Sequence, residues 1–205
     1  MNLCELLETH RLMAVVPADE PEPALASIRV LVDAGVRLIE VPLTSRDAVG
    51  VLLRAHAELG GDAVLGAGSV LTDADVVQVE QAGGAFVVTP ALVPAVAESV
   101  RLGLPALVGA LTPAEVVSAS LAGATAVKLF PASLGGPDYL RTLREPFPTV
   151  PFVPVGGVDL DAALAFLDAG ALAVGVGAPL LGDAPHGGDL AALRRRVTTF
   201  RSALG

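Results

Sequence analysis

Six glycines, Gly35, Gly60, Gly83, Gly103, Gly123 and Gly170, each close an amphipathic stretch and each stand just ahead of a short apolar run. That order is what a chain shows when a helix ends on a glycine and passes straight into a buried strand. The apolar runs cover 38–41, 63–65, 85–88, 106–108, 126–129 and 173–176, and two more, 12–16 and 152–155, bring the number to eight. Helix starts are marked at Pro23, Asp73, Pro94, Pro113 and Asp159, and a last helix is predicted over 189–203. Strands therefore alternate with helices.

Strands this apolar are buried on both faces, and helical crossovers make them parallel, which leaves an open doubly wound sheet or a closed barrel. Eight units favour closure. The first strand is followed by Val15-Val16-Pro17-Ala18-Asp19-Glu20, without the glycine fingerprint of a dinucleotide-binding sheet. With 205 residues, 53% hydrophobic and 17% charged, the chain fits one domain over 1–205 with a sizeable core. Aromatic residues make up 3%, so that core is built of Val, Leu and Ala. The expected fold is α/β, a single (β/α)8 TIM barrel with parallel strands.

A formal net charge of -9 argues against nucleic acid and anionic membrane surfaces as partners, since both demand clustered positive charge. The basic run from Arg194 to Arg196 reads as a solvated helix face. The apolar stretch 171–181 is too short and too interrupted by Gly and Pro to span a bilayer. Cys4 has no cysteine to pair with and no neighbour that would activate it, and no leader pattern opens the chain, so the expected setting is the cytoplasm.

Active sites of such barrels lie at the C-terminal ends of the strands. Polar candidates there are Glu40 after the second strand, Ser69 after the third, Thr89 after the fourth, Lys128 on the sixth, and the glycine turns after the seventh and eighth. Lys128 is the only lysine, set in the apolar run Ala126-Val127-Lys128-Leu129-Phe130. A buried ammonium is costly unless paired, so a lysine in such a place tends towards the neutral amine, which can attack a carbonyl to form an iminium. All other cationic side chains are arginines, which cannot do this. A buried ion pair between Lys128 and Glu40, or a lysine reaching for the barrel rim, stays open as the plain structural alternative.

Glu40 shares its strand face with Leu38, and a carboxylate beside a carbinolamine can move protons. The turns Gly156-Gly157 and Gly177-Ala178 follow the last two strands, where backbone amides of barrels commonly hold phosphate.

The runs Glu40-Val41-Pro42-Leu43, Gly66-Ala67-Gly68-Ser69-Val70-Leu71, Val88-Thr89-Pro90, Lys128-Leu129-Phe130-Pro131-Ala132-Ser133 and Val155-Gly156-Gly157-Val158 resemble, in order and spacing, the aldolases of 2-keto-3-deoxy-6-phosphogluconate (KDPG) and its galactonate epimer (KDPGal). The resemblance implies a trimeric class I aldolase without metal or cofactor, cleaving such a sugar acid to pyruvate and glyceraldehyde 3-phosphate. Some members also cleave 4-hydroxy-2-oxoglutarate. It casts Lys128 as the Schiff-base lysine and Glu40 as the proton-transfer group. Substrate binding falls to Ser69, in place of a threonine, and to Thr89, Pro90, Phe130, Val155, Gly156, Gly157, Gly177 and Ala178.

The chain departs from that pattern where an arginine usually meets the substrate carboxylate: it has Pro17 and Thr44, and Arg46 is the candidate to fold back over the site, a solvent-facing Arg46 being the alternative. Ala178 stands where a serine usually contacts phosphate, which opens the way to an unphosphorylated hydroxy-keto acid. Val155 resembles the KDPGal branch, whereas Pro146-Phe147-Pro148 and Phe152-Val153-Pro154 resemble the KDPG branch. A barrel that binds a keto acid or sugar phosphate without turnover, and a phosphosugar isomerase or synthase using only the glycine turns and Glu40, with Lys128 as a salt-bridge partner, are the competing readings.

Overall fold

In a computed structural model, which describes residues 2–205, all six helix-closing glycines have positive φ, between 52° and 92°. The first half of the chain runs α1 (Leu3–His10), β1 (Leu12–Val15), α2 (Pro21–Asp33), β2 (Leu38–Pro42), α3 (Ala48–Leu59), β3 (Val64–Gly68), α4 (Asp73–Gln81), β4 (Phe86–Thr89) and α5 (Ala95–Leu102). The second half runs β5 (Ala106–Ala110), α6 (Pro113–Leu121), β6 (Ala126–Leu129), α7 (Gly136–Arg144), β7 (Phe152–Pro154), α8 (Leu160–Asp168), β8 (Val174–Val176), α9 (Ala178–Leu181) and α10 (Leu190–Leu204).

The eight strands are all parallel, ordered β7-β6-β5-β4-β3-β2-β1-β8. The ring is joined between β7 and β8 by a bridge from Val155 to Gly175 and by the Leu172 N–H donating to the Phe152 carbonyl at 2.8 Å. This is the (β/α)8 barrel expected. Among the described residues, no helix is long and apolar enough to cross a membrane.

Strand alternation divides the apolar side chains into two layers. Ala14, Ile39, Val41, Val87, Val108, Val127 and Leu129 point outwards and pack under the helices. Met13, Leu38, Phe86, Val88, Leu107, Ala126 and Val153 fill the barrel interior. Glu40 follows the parity of Leu38, and Lys128 that of Ala126, so both enter the interior near its C-terminal mouth. The facing strand β3 makes the room: a Cβ on Gly66 would strike the Phe86 ring and one on Gly68 would strike the Glu40 carboxylate. The run 63–65 is extended to Gly68 for this reason, since the glycines that interrupt its hydrophobicity are strand residues facing large neighbours.

Two elements were not anticipated. Helix α1, held by a capping box between Asn2 and Glu5, drives Leu3 and Leu7 into the interior cluster at the opposite end of the barrel. It escapes the glycine pattern because its C-cap is Arg11, left-handed at φ 54°. The short α9 follows β8 directly. Helix α2 begins at Pro21, two residues before Pro23.

Candidate active site

Lys128 and Glu40 lie 6% and 2% exposed on β6 and β2, and both line a cavity of about 520 Å³ at the C-terminal ends of the strands. Every ion pair among the described residues uses an arginine or His186, so Lys128 and Glu40 share the cavity without being bonded to one another. The Oε2 atom of Glu40 is buried with no hydrogen-bond partner. Burial pushes the Glu40 carboxyl above its ordinary pKa, and the charge of Lys128 offsets that only in part. A carboxyl poised to keep a proton therefore faces an amine that no carboxylate neutralises. The buried ion pair considered from the sequence is not formed.

Ser69, Phe130, Val155, Gly156, Gly157, Gly177 and Ala178 line the same cavity. Ser69 holds φ at 54°, a left-handed value that costs a non-glycine residue about 1–3 kcal/mol and turns the chain sharply at the end of β3. The Phe130 ring lies over Lys128, with Nζ 4.8 Å from its centre. Gly156 and Gly157 have φ of 95° and 75°. Among the described residues, the N–H groups of Gly156, Gly157, Gly177 and Ala178 find no backbone acceptor and are free to meet an anion.

Three expected residues do not reach the cavity. Thr89 is fully buried and spends its hydroxyl on the Ala91 carbonyl at 2.7 Å. Pro90 packs its carbonyl against Gly109, so Thr89 and Pro90 shape the turn after β4. Arg46 is exposed, and its backbone N–H donates to the Asp19 carboxylate at 3.2 Å. That bond, together with the Ala18 N–H donating to Ser45 Oγ at 3.0 Å, ties the β2–α3 loop to the β1–α2 loop and leaves the Arg46 side chain in solvent.

The cavity also takes in Val15, Pro42, Thr44, Val158, Gly175 and Pro179. Strand parity could have found Val15 and Gly175, each two residues along its strand from an inward-facing neighbour; Pro179 carries no such signal. Among the residues around this cavity Lys128 is the single cation and Glu40 the single acid. Elsewhere, among the described residues, no group of His, Cys, Asp and Glu is placed to hold a metal ion.

Residues 3–195 match the family described as KDPG and KHG aldolase. The chain is 35% identical over 163 residues to the 2-dehydro-3-deoxy-phosphogluconate aldolase of Treponema pallidum (strain Nichols), covering 78% of this chain and 77% of that protein. It is 32% identical over 174 residues to the 2-dehydro-3-deoxy-6-phosphogalactonate aldolase of Escherichia coli (strain K12), covering 82% and 83%. Among solved structures, a native KDPGal structure superposes with a TM-score of 0.88 at 29% identity, over 94% of this chain and 93% of that one.

Proposed function

Because the chain belongs to the KDPG and KHG aldolase family, we propose that it reversibly cleaves a 2-keto-3-deoxy-6-phospho sugar acid, KDPG or KDPGal, to pyruvate and D-glyceraldehyde 3-phosphate, with 4-hydroxy-2-oxoglutarate as a further substrate. The observation that carries this reading is the pair of buried, unbonded groups, Lys128 and Glu40, on one cavity.

The Lys128 amine attacks the C2 carbonyl carbon, forming a C–N bond as the C=O π bond opens to a carbinolamine. Glu40, in its acid form, protonates the departing hydroxyl; water leaves and an iminium remains. The C3–C4 bond then breaks, its electron pair moves into the iminium to give an enamine, and the C4 hydroxyl returns its proton to Glu40 as the aldehyde departs. Glu40 protonates the enamine at C3. Water adds to the resulting iminium, Glu40 takes up the released proton, and pyruvate is freed with the amine. A carboxyl whose pKa is raised by burial suits this exchange, since its acid form gives up a proton and its carboxylate takes one back more readily than in an exposed glutamate.

Ser69 and Thr44 offer hydroxyls to the substrate carboxylate in place of an arginine, and the free amides of the Gly156-Gly157 and Gly177-Ala178 turns offer donors to a phosphate. We also assign a homotrimer, supported by apolar surface on Leu71, Leu92 and Leu134, which are 46%, 46% and 72% exposed in the loops after β3, β4 and β6. An aldolase for unphosphorylated hydroxy-keto acids is the second reading. It is favoured by the lack of any cation other than Lys128 around the cavity and by the Asp159 carboxylate, which already accepts from the Ala162 N–H at the start of α8.

Incubation with pyruvate and borohydride tests the chemistry: a reduced pyruvyl adduct on Lys128 is expected, and a folded but unmodified protein would overturn it. Turnover of KDPG, KDPGal, their unphosphorylated counterparts and 4-hydroxy-2-oxoglutarate, measured side by side, decides between the two substrate readings.

A further inference from the structure

Phe130 is an aromatic side chain left 38% exposed at the mouth of the cavity, and its ring covers the one lysine of the chain at 4.8 Å. Its placement is built in. The Phe130 N–H donates to the Ala110 carbonyl at 3.2 Å, and the next residues are laced to the β7–α8 turn by Ala132 N–H to Val155 and Ser133 N–H to Gly156. Gly156 seats the ring: a Cβ there would stand 3.1 Å from two of its carbons. Lys128 has no carboxylate bonded to it, and Glu40, the only other titratable group around the cavity, is held towards its neutral form by burial. Yet Schiff-base chemistry places a full positive charge on that nitrogen inside a largely apolar chamber. The face of an aromatic ring carries the negative lobe of its quadrupole and attracts such a charge, most strongly where water is scarce.

We propose that the Phe130 ring is the electrostatic partner of the Lys128 nitrogen, stabilising its cationic forms, the pyruvyl iminium among them. The proposal rests on the Schiff-base reading above. In the step it concerns, the neutral amine, the ketone and one proton become the iminium and one water, so a charge appears on the nitrogen beneath the ring. The neutral amine offers the ring no full charge and the iminium does, so the ring favours the iminium. Glu40 is common to all variants compared below and cancels.

Replacing Phe130 by phenylalanines with one, three and five ring fluorines withdraws the quadrupole stepwise while nearly keeping the shape. The readout is the pyruvate concentration that gives half-maximal borohydride trapping on Lys128 in the full-length protein. Measured at alkaline pH, this concentration should rise with each step, by on the order of ten-fold in all. Values that stay flat across the series would mean that the ring only packs, and would overturn the proposal while the aldolase reading stands. A wild-type protein that pyruvate never traps overturns both.

Discussion

Lys128 and Glu40 each occupy an inward position on an otherwise apolar strand, and their different environments set different tests. Lys128→Arg keeps a cation but removes any free amine, so aldol turnover should vanish and pyruvate should leave no borohydride-stable adduct. Glu40→Gln should lower kcat by about 10²- to 10⁴-fold, the usual contribution of a positioned acid–base group. Because burial raises the Glu40 pKa, its carboxylate form is lost on acidification sooner than for an exposed glutamate, and the acid limb of the rate profile should sit above the usual carboxylate range. Folding linkage has the matching sign: the folded chain holds this proton more tightly than the unfolded chain does. Glu40 therefore lowers stability progressively as pH rises from the ordinary carboxylate range through the raised pKa, and Glu40→Gln should remove that slope from a plot of Tm against pH. Gly68→Ala should mimic much of the activity loss, since the added methyl falls on the Glu40 carboxylate. Both charged residues were legible in the sequence because a lone charge in an apolar strand stands out. The misplacement of Thr89, Pro90 and Arg46 has a different origin: whether a loop side chain turns in or out depends on bonds such as Thr89 to Ala91 and Arg46 to Asp19, which join backbone to side chain and leave no periodic trace.

At the scale of elements, four of the arginines left over from chemistry serve the helix ends. Arg201 donates to the Ala34 carbonyl at the end of α2, Arg144 to Ala169 after α8, Arg196 to Leu180 and Leu181 in α9, and Arg11 to Leu204 at the end of α10. A planar fork suits this task, because the last carbonyls of a helix lack internal donors. Gly35, Gly170 and Gly182 leave the space in which three of these guanidinium groups sit, so a glycine chosen for its backbone conformation also makes way for a clamp. Arg201→Ala should cost about 1 kcal/mol, lowering Tm by about 2–4 °C, while leaving kcat unchanged. Leu7→Ala should cost about 2–5 kcal/mol by opening a void at the closed end of the barrel, far from the reacting atoms. The glycine pattern marks six of the helix-to-strand joins, enough to count strands with the two apolar runs that lack one, yet it does not show α1, because Arg11 does by strain what glycine does freely. The Asn2 and Glu5 pair was the available signal.

For the whole molecule, closure of the ring converts eight short strands, none longer than five residues, into one enclosure with a plugged end and an open end. All the groups that touch the cavity belong to the open end, and the apolar layers hold them from both sides. The net charge of -9 surrounds an opening meant, on our reading, for an anion. Long-range repulsion should slow encounter, so kcat/KM for a phosphorylated substrate should rise when sodium chloride is raised from low concentration, the opposite of an enzyme that steers its substrate in. A fall in kcat/KM would show that local donors at the mouth outweigh the overall field.

The scarcity of lysine has one more effect. Carbonyl compounds condense with any accessible ε-amine, and an enzyme that makes and consumes them lives in contact with its own potential modifiers. Here the remaining cationic side chains are guanidinium groups, so the outer surface offers no ε-amine to glycation by the aldehydes released at the barrel mouth. The only lysine lies where the same condensation is productive and reversible.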